Sequence, residues 1–304
     1  MGTELYKSLT RFMNLRTDYA FKLIFGTEKN KHLLITFLNL LFAPEIFITD
    51  VSFKTKEVLP NHQKGRRIIY DIYCTTANDH HIIVEMQQSR QIHFMNRALI
   101  YTAMGMIHQA KRGKWNYHTD PVYGVFLTNF SVIRDNDKLV TRAGITDLES
   151  AVILTNAQKW FFINLSMMSK QSLEECDDDL ERWIYCIKNM EKFNERPKEY
   201  SNLHPLFDAA ETALLSEEAA VAYSQSEQRL IDEETAREEY AAEREEIGRM
   251  EGRKEGRKEG RKEGRKEGWK EAAIAMATEL KKLGLPIKDI ANVTRLSESV
   301  IISL

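Results

Sequence analysis

Tyr70-Asp71-Ile72-Tyr73-Cys74-Thr75-Thr76-Ala77-Asn78-Asp79-His80-His81-Ile82-Ile83-Val84-Glu85-Met86-Gln87 is the stretch on which the fold turns. Its ends belong to runs rich in β-branched residues, 66–75 and 81–87. The polar residues from Thr76 to His80 form a turn signal between them, so a hairpin is predicted. Centring the turn on Asn78 sets Asp71 directly opposite Glu85, with Cβ atoms about 4.5–5.5 Å apart. Gln87, two residues on, shares that face. Ile72, Ile83, Val84 and Met86 surround the pair with apolar groups. Two carboxylates in such a place persist only if protonated, paired with cations or bound to a metal. Oxygen ligands from Asp, Glu and a backbone carbonyl suit Mg²⁺. The competing reading is a pair of solvated acids at strand ends.

Outward from the hairpin, Asp18–Phe25 is a predicted helix with an apolar face, ended by Gly26, and Lys31–Phe42 a second, apolar nearly all round and therefore buried. Residues 46–58 read as a strand, 91–112 as a helix and 122–130 as a strand. Residues 151–154 with 160–165 suggest a second hairpin, and 177–190 an amphipathic helix with Asp177 to Asp179 at its positive end. The expected fold class is mixed α/β, with the first hairpin at its centre.

Asp71 followed by Glu85-Met86-Gln87 on the next strand resembles the PD-(D/E)xK nuclease superfamily. Thr17-Asp18-Tyr19-Ala20-Phe21-Lys22, Tyr70-Asp71-Ile72, Val84-Glu85-Met86-Gln87 and Asn96-Arg97 through Tyr101 are similar to the recombination-promoting nuclease and transposase group of that superfamily, over about residues 18–130. The resemblance implies a restriction-endonuclease-like core, a mixed sheet flanked by helices. It implies a Mg²⁺-dependent endodeoxyribonuclease acting in recombination, transposition or defence against foreign DNA. It also implies site roles: Asp71, Glu85 and the Met86 carbonyl as metal ligands, and Gln87 positioning the attacking water. Asp18 matches the group's N-terminal acidic residue and either orients Lys22, binds a second metal or serves only as a helix N-cap. Tyr70 stands where the superfamily has proline, and Gln87 where most relatives have lysine, although this subgroup commonly carries Glu-x-Gln. Either Lys22, Lys64 or Arg97 then supplies the missing positive charge, or the enzyme is slow. Arg97 and Tyr101, four apart on one helix face, are candidate phosphate contacts, Tyr101 equally a core residue. The alternative is a degenerate nuclease fold that binds DNA or a protein without cleaving.

Net charge is −2 over 304 residues, so DNA contact has to come from a local patch. Lys64, Arg66, Arg67, Arg90, Arg97, Lys111, Arg112 and Lys114 cluster in sequence around the hairpin and its helix. Cys74, Cys176 and Cys186 are too few for a disulfide framework or zinc cage. The histidines lack zinc spacing, and neither a Gly-rich phosphate loop nor a Gly-x-Ser-x-Gly elbow occurs. Without a signal-type or membrane-spanning apolar run, a cytoplasmic, nucleoid-associated protein is expected.

Beyond residue 207 the only aromatic residues are Tyr223, Tyr240 and Trp269, which suggests that the packed nuclease-like domain is 1–207. Residues 208–246 carry 13 acidic and 3 basic groups, and 247–271 carry 10 basic and 6 acidic. Gly252-Arg253-Lys254-Glu255 recurs at Gly256, Gly260 and Gly264 and degrades at Gly268-Trp269-Lys270-Glu271. Region 208–271 therefore reads as a charged helical linker, either a solvated spacer or a helix that pairs subunits into a homo-oligomer. Residues 272–304 read as a small helical module: a helix stopped by Gly284, a second begun by Pro286 and a third capped by Ser297. Its pattern resembles a helix-turn-helix, with few basic residues to read DNA.

Overall fold

The computed structural model describes residues 10–55, 57–58, 68–111 and 113–304. It divides into two compact units, 1–235 and 236–304. The first is built on a six-stranded mixed sheet of order β1-β4-β5-β6-β8-β7. Its strands are β1 (Val51–Phe53), β4 (Ile72–Thr76), β5 (His81–Gln87), β6 (Val122–Thr128), β7 (Val140–Thr146) and β8 (Ile153–Asn164), and β2 (Glu57–Val58) and β3 (Ile68–Ile69) form a separate two-stranded ladder. β5, β6 and β8 run parallel, while β1, β4 and β7 pair antiparallel to their neighbours. The parallel centre explains the composition: every residue of β6 is buried, as a strand covered on both faces requires.

One face is covered by α1 (Asp18–Phe25), α2 (Lys31–Phe42), α4 (Asp179–Asn189) and α5 (His204–Ala210), whose apolar sides join Ile72, Cys74, Ile82, Val84, Val125 and Leu127 in the larger core. Thr17 caps α1 by accepting from the Ala20 amide, and Asp178 caps α4 by accepting from the Glu181 amide. The other face is covered by α3 (Phe94–Ile107), the crossover between β5 and β6, which buries Phe94, Ala98 and Tyr101 against Ile83, Val122 and Phe126. Two glycines let α3 lie close. A Cβ at Gly105 would stand 2.9 Å from Val122, and one at Gly124 would stand 2.9 Å from Thr102 on α3 besides colliding with the Phe126 ring of its own strand.

The hairpin, α1 and α2 follow the sequence reading closely. Two predicted elements differ. Residues 46–58 do not form one strand: β1 is confined to Val51–Phe53, and Phe47 is 73% exposed. Residues 151–165 are not a hairpin but one long strand, β8, whose antiparallel partner is the polar β7. β7 is an edge strand with little burial, so it lacks the apolar alternation that marks a strand. The first unit also runs past the aromatic boundary at 207, because α6 (Glu217–Lys282) starts against it. Tyr223 there is fully buried, and its hydroxyl accepts from the Asn14 amide at 2.8 Å and donates to Glu227 at 3.0 Å.

The second unit comprises the rest of α6, α7 (Ile287–Thr294) and α8 (Glu298–Ser303). Gly284, at φ +78, ends α6, and Ala277, Ile290 and Ile301 form a small core. Among the described residues no helix is long and apolar enough to cross a membrane.

Candidate active site

Strand register decides the site. Ile72 pairs with Val84 and Tyr73 with Ile83, which continues to Asp71 opposite Glu85, as the hairpin reading required. Asp71 lies in a bend between β3 and β4, so its amide is released from the regular ladder. Each carboxylate accepts a backbone amide from the segment opposite. The Asp71 amide donates to Glu85 Oε1 at 2.9 Å, and the Met86 amide donates to Asp71 Oδ2 at 3.0 Å. Each carboxylate is thereby fixed by the strand that carries the other.

Glu85 is only 3% exposed. Burial, and next the Asp71 charge, push its carboxyl up to about 8, against the Asp71 amide, Arg97 and Lys22. Two cations neutralise the pair. Lys22, from α1, lies 3.2 Å from Asp71 Oδ1 and 2.6 Å from Asp18 Oδ1. Arg97, from α3, lies 3.2 Å from Glu85 Oε2 and 3.3 Å from Gln87 Oε1, with Gln91 Oε1 at 3.1 Å. Its guanidinium rests over the Tyr101 ring, 4.9 Å from the centroid. Burial works against the Lys22 charge, but the hydrogen bond to Asp18 and the charges of Asp71 and Asp18 outweigh it and raise its pKa.

The structure thus gathers Asp18, Lys22, Asp71, Glu85, Gln87, Arg97 and Tyr101 at the open end of the hairpin. The N-cap alternative for Asp18 is not what the helix uses: Thr17 is the cap, and Asp18 bonds Lys22. Tyr101 is 8% exposed, and burial followed by the Glu85 charge raises its hydroxyl pKa, so it serves as packing and as the platform for Arg97. Gln87 has its amide nitrogen on the Ser89 carbonyl at 3.2 Å. Lys64, Arg66, Arg67 and Arg112 lie outside the described residues; Arg90, Lys111 and Lys114 are exposed. Gln88 was not singled out by sequence, yet it is 9% exposed with both amide atoms unpartnered. A polar residue following the Glu-x-Gln motif at the end of a buried strand was the only sequence signal for it.

Among the described residues no cluster of three His, Cys, Asp or Glu surrounds a metal position. The two carboxylates nevertheless fit a hard divalent ion. Their oxygens are hard donors, and their buried charge demands the cations that Lys22 and Arg97 now supply.

A mixed sheet between helices, with one acid on β5 and its partner in the bend that leads into the neighbouring β4, defines a PD-(D/E)XK nuclease core. The family model described as PD-(D/E)XK nuclease family transposase matches residues 15–240, and the chain belongs to that family. Comparison with curated proteins finds no match, and neither does comparison with solved structures. Membership carries a nuclease fold and, in general terms, a DNA nuclease or transposition role with a divalent metal as the family's usual cofactor.

Proposed function

We propose that the protein is a Mg²⁺-dependent DNA endonuclease that hydrolyses phosphodiester bonds in recombination, transposition or defence against foreign DNA. The observation that carries this reading is the pair of amide bonds, Asp71 N–H to Glu85 and Met86 N–H to Asp71, which fixes a buried and a half-buried carboxylate together at a strand end. Asp71, Glu85 and the Met86 carbonyl would hold the metal. When bound, such an ion polarises the scissile phosphate and makes water more acidic.

The chain's own groups have the following parts. Gln87 is a neutral amide, so it orients the attacking water by hydrogen bonding and cannot take its proton. Lys22 is the cation that stands in for the lysine missing at Gln87, because it already reaches Asp71 from the neighbouring helix. Asp18 holds that amine in place from one helical turn away. Arg97, steadied by Tyr101, offers a fork of N–H donors to a phosphate oxygen once it leaves Glu85.

The test is supercoiled plasmid nicking in Mg²⁺ and in EDTA. Asp71→Ala and Glu85→Ala are expected to lower nicking by at least about a hundredfold, the scale of removing one preorganised electrostatic group. Nicking that survives both substitutions, or persists in EDTA, refutes the reading.

A second reading has its own support: Gln87 lacks a positive charge, and protein cations already satisfy both acids. On this reading the fold binds DNA or a protein without cutting, and α6 drives oligomers. It predicts no rise in melting temperature on adding Mg²⁺; a clear rise counts against it.

A further inference from the structure

The repeat in α6 is an unusual helix. A period of four rises about 6 Å and turns about 40° past a full revolution, so each residue type forms its own slowly winding ridge. Arg253, Arg257, Arg261 and Arg265 form one, with the lysine ridge beside it and the glutamates beyond. Every i, i+4 pair along these ridges is therefore a like-charge pair, which destabilises an isolated helix. Glycine at each fourth position costs about a further 1 kcal/mol. Only Glu-to-Lys contacts at i, i+3 offset this. All residues from 236 to 271 are exposed, so no packing compensates.

What the ridges create is a continuous cationic face. Near its end lies an open groove of about 890 Å³, lined by five Arg and Lys side chains between Arg261 and Lys270, with Trp269 and Leu296 as its apolar members. No carboxylate lines it. Trp269 is 55% exposed within that cationic wall. Cations on a long track beside a bare aromatic ring are the chemistry that grips a nucleic-acid strand, phosphates on the cations and a base on the ring.

We propose that this face of α6 is a second DNA-binding site, separate from the hairpin acids, which takes a single-stranded stretch with a base stacked on Trp269. The proposal rests on the reading of the protein as a DNA nuclease for its choice of DNA. Occupancy neutralises the Arg and Lys ridges, so binding also stiffens the repeat as helix. The acidic run of residues 232–246 offers the competing occupant, a second copy of the chain.

The experiment measures anisotropy of fluorescein-labelled single-stranded DNA with the full chain in EDTA across a salt series. A variant combining Arg261→Gln, Lys262→Gln, Arg265→Gln, Lys266→Gln and Lys270→Gln is expected to bind at least about tenfold more weakly, with a salt slope shallower by about 0.7 for each phosphate no longer neutralised. Trp269→Ala is expected to lose about fivefold or more. Arg261→Lys with Arg265→Lys keeps the charge and retains binding, and circular dichroism verifies that each variant is at least as helical as the parent. DNA binding by the glutamine variant equal to that of the parent overturns the proposal. So does sedimentation in which the parent is a dimer, the variant a monomer and DNA affinity unchanged, since a second copy then owns the face. Plasmid nicking by the same variant in Mg²⁺ reports separately on Asp71 and Glu85, so failure of the tail site leaves the nuclease reading standing.

Discussion

The two units place charge in opposite settings. In the first, Arg97 meets a Glu85 side chain that is 4% exposed; in the second, Lys282 meets a Glu279 that is 70% exposed. The buried pair stands among aromatic rings and has few ways to relax, so its geometry is fixed and its charge is costly to leave alone. The exposed pair is screened by water and contributes little. The same residue types thus make a chemical site in one unit and an adaptable surface in the other, and apolar cover is what separates them.

The largest effect that tests this contrast is at the aromatic residues of α6. Tyr223→Ala removes a buried ring and leaves the Asn14 amide unpartnered, and is expected to cost about 3–5 kcal/mol in denaturant unfolding. Trp269→Ala, at an open position on the same helix, is expected to shift global stability by no more than about 0.5 kcal/mol. Equal losses at the two positions would erase the distinction.

The next effect concerns the buried acid. Glu85 takes up its proton near pH 8 in the folded chain but in the ordinary carboxylate range when unfolded. Across that interval the folded state binds the extra proton, so metal-free stability falls as pH rises toward 8. Glu85→Gln is expected to flatten this fall in melting temperature measured in EDTA. A slope unchanged by the substitution would mean that the charge is not confined as the structure has it.

The smallest effect sharpens the other side. Gly260→Ala, where a Cβ has nothing within 4 Å, is expected to favour the helix by about 1 kcal/mol locally. It should raise ellipticity at 222 nm without moving the unfolding midpoint of the first unit.

The central hairpin was legible because its turn residues and its alternation agree, so the register and the opposition of Asp71 to Glu85 followed from sequence. α1, ended by Gly26, was equally plain, although its cap is Thr17 and not the Asp18 that the sequence offered. β7 was not, since an edge strand of Thr141, Arg142, Ala143 and Gly144 carries no core pattern. The hold of α6 on the first unit rests on a few buried groups, Ala220, Tyr223 and Leu230, within a helix otherwise dominated by charge. Sequence proposed Lys22 and Arg97 as candidate cations, but which acid each one meets depends on how two helices from distant parts of the chain approach the sheet. No local pattern records that.

Gly105 on α3 and Gly124 on β6 set how closely that helix approaches the sheet. Gly105 rests against the Val122 side chain and Gly124 against Thr102 and the Phe126 ring, and Arg97 projects from the same helix toward Glu85. A single methyl at Gly124 would collide first with the Phe126 ring of its own strand and next with Thr102 of α3, the helix that carries Arg97. A purely apolar lesion there would then be read out as a fault in electrostatics, several residues from any charged group it touches.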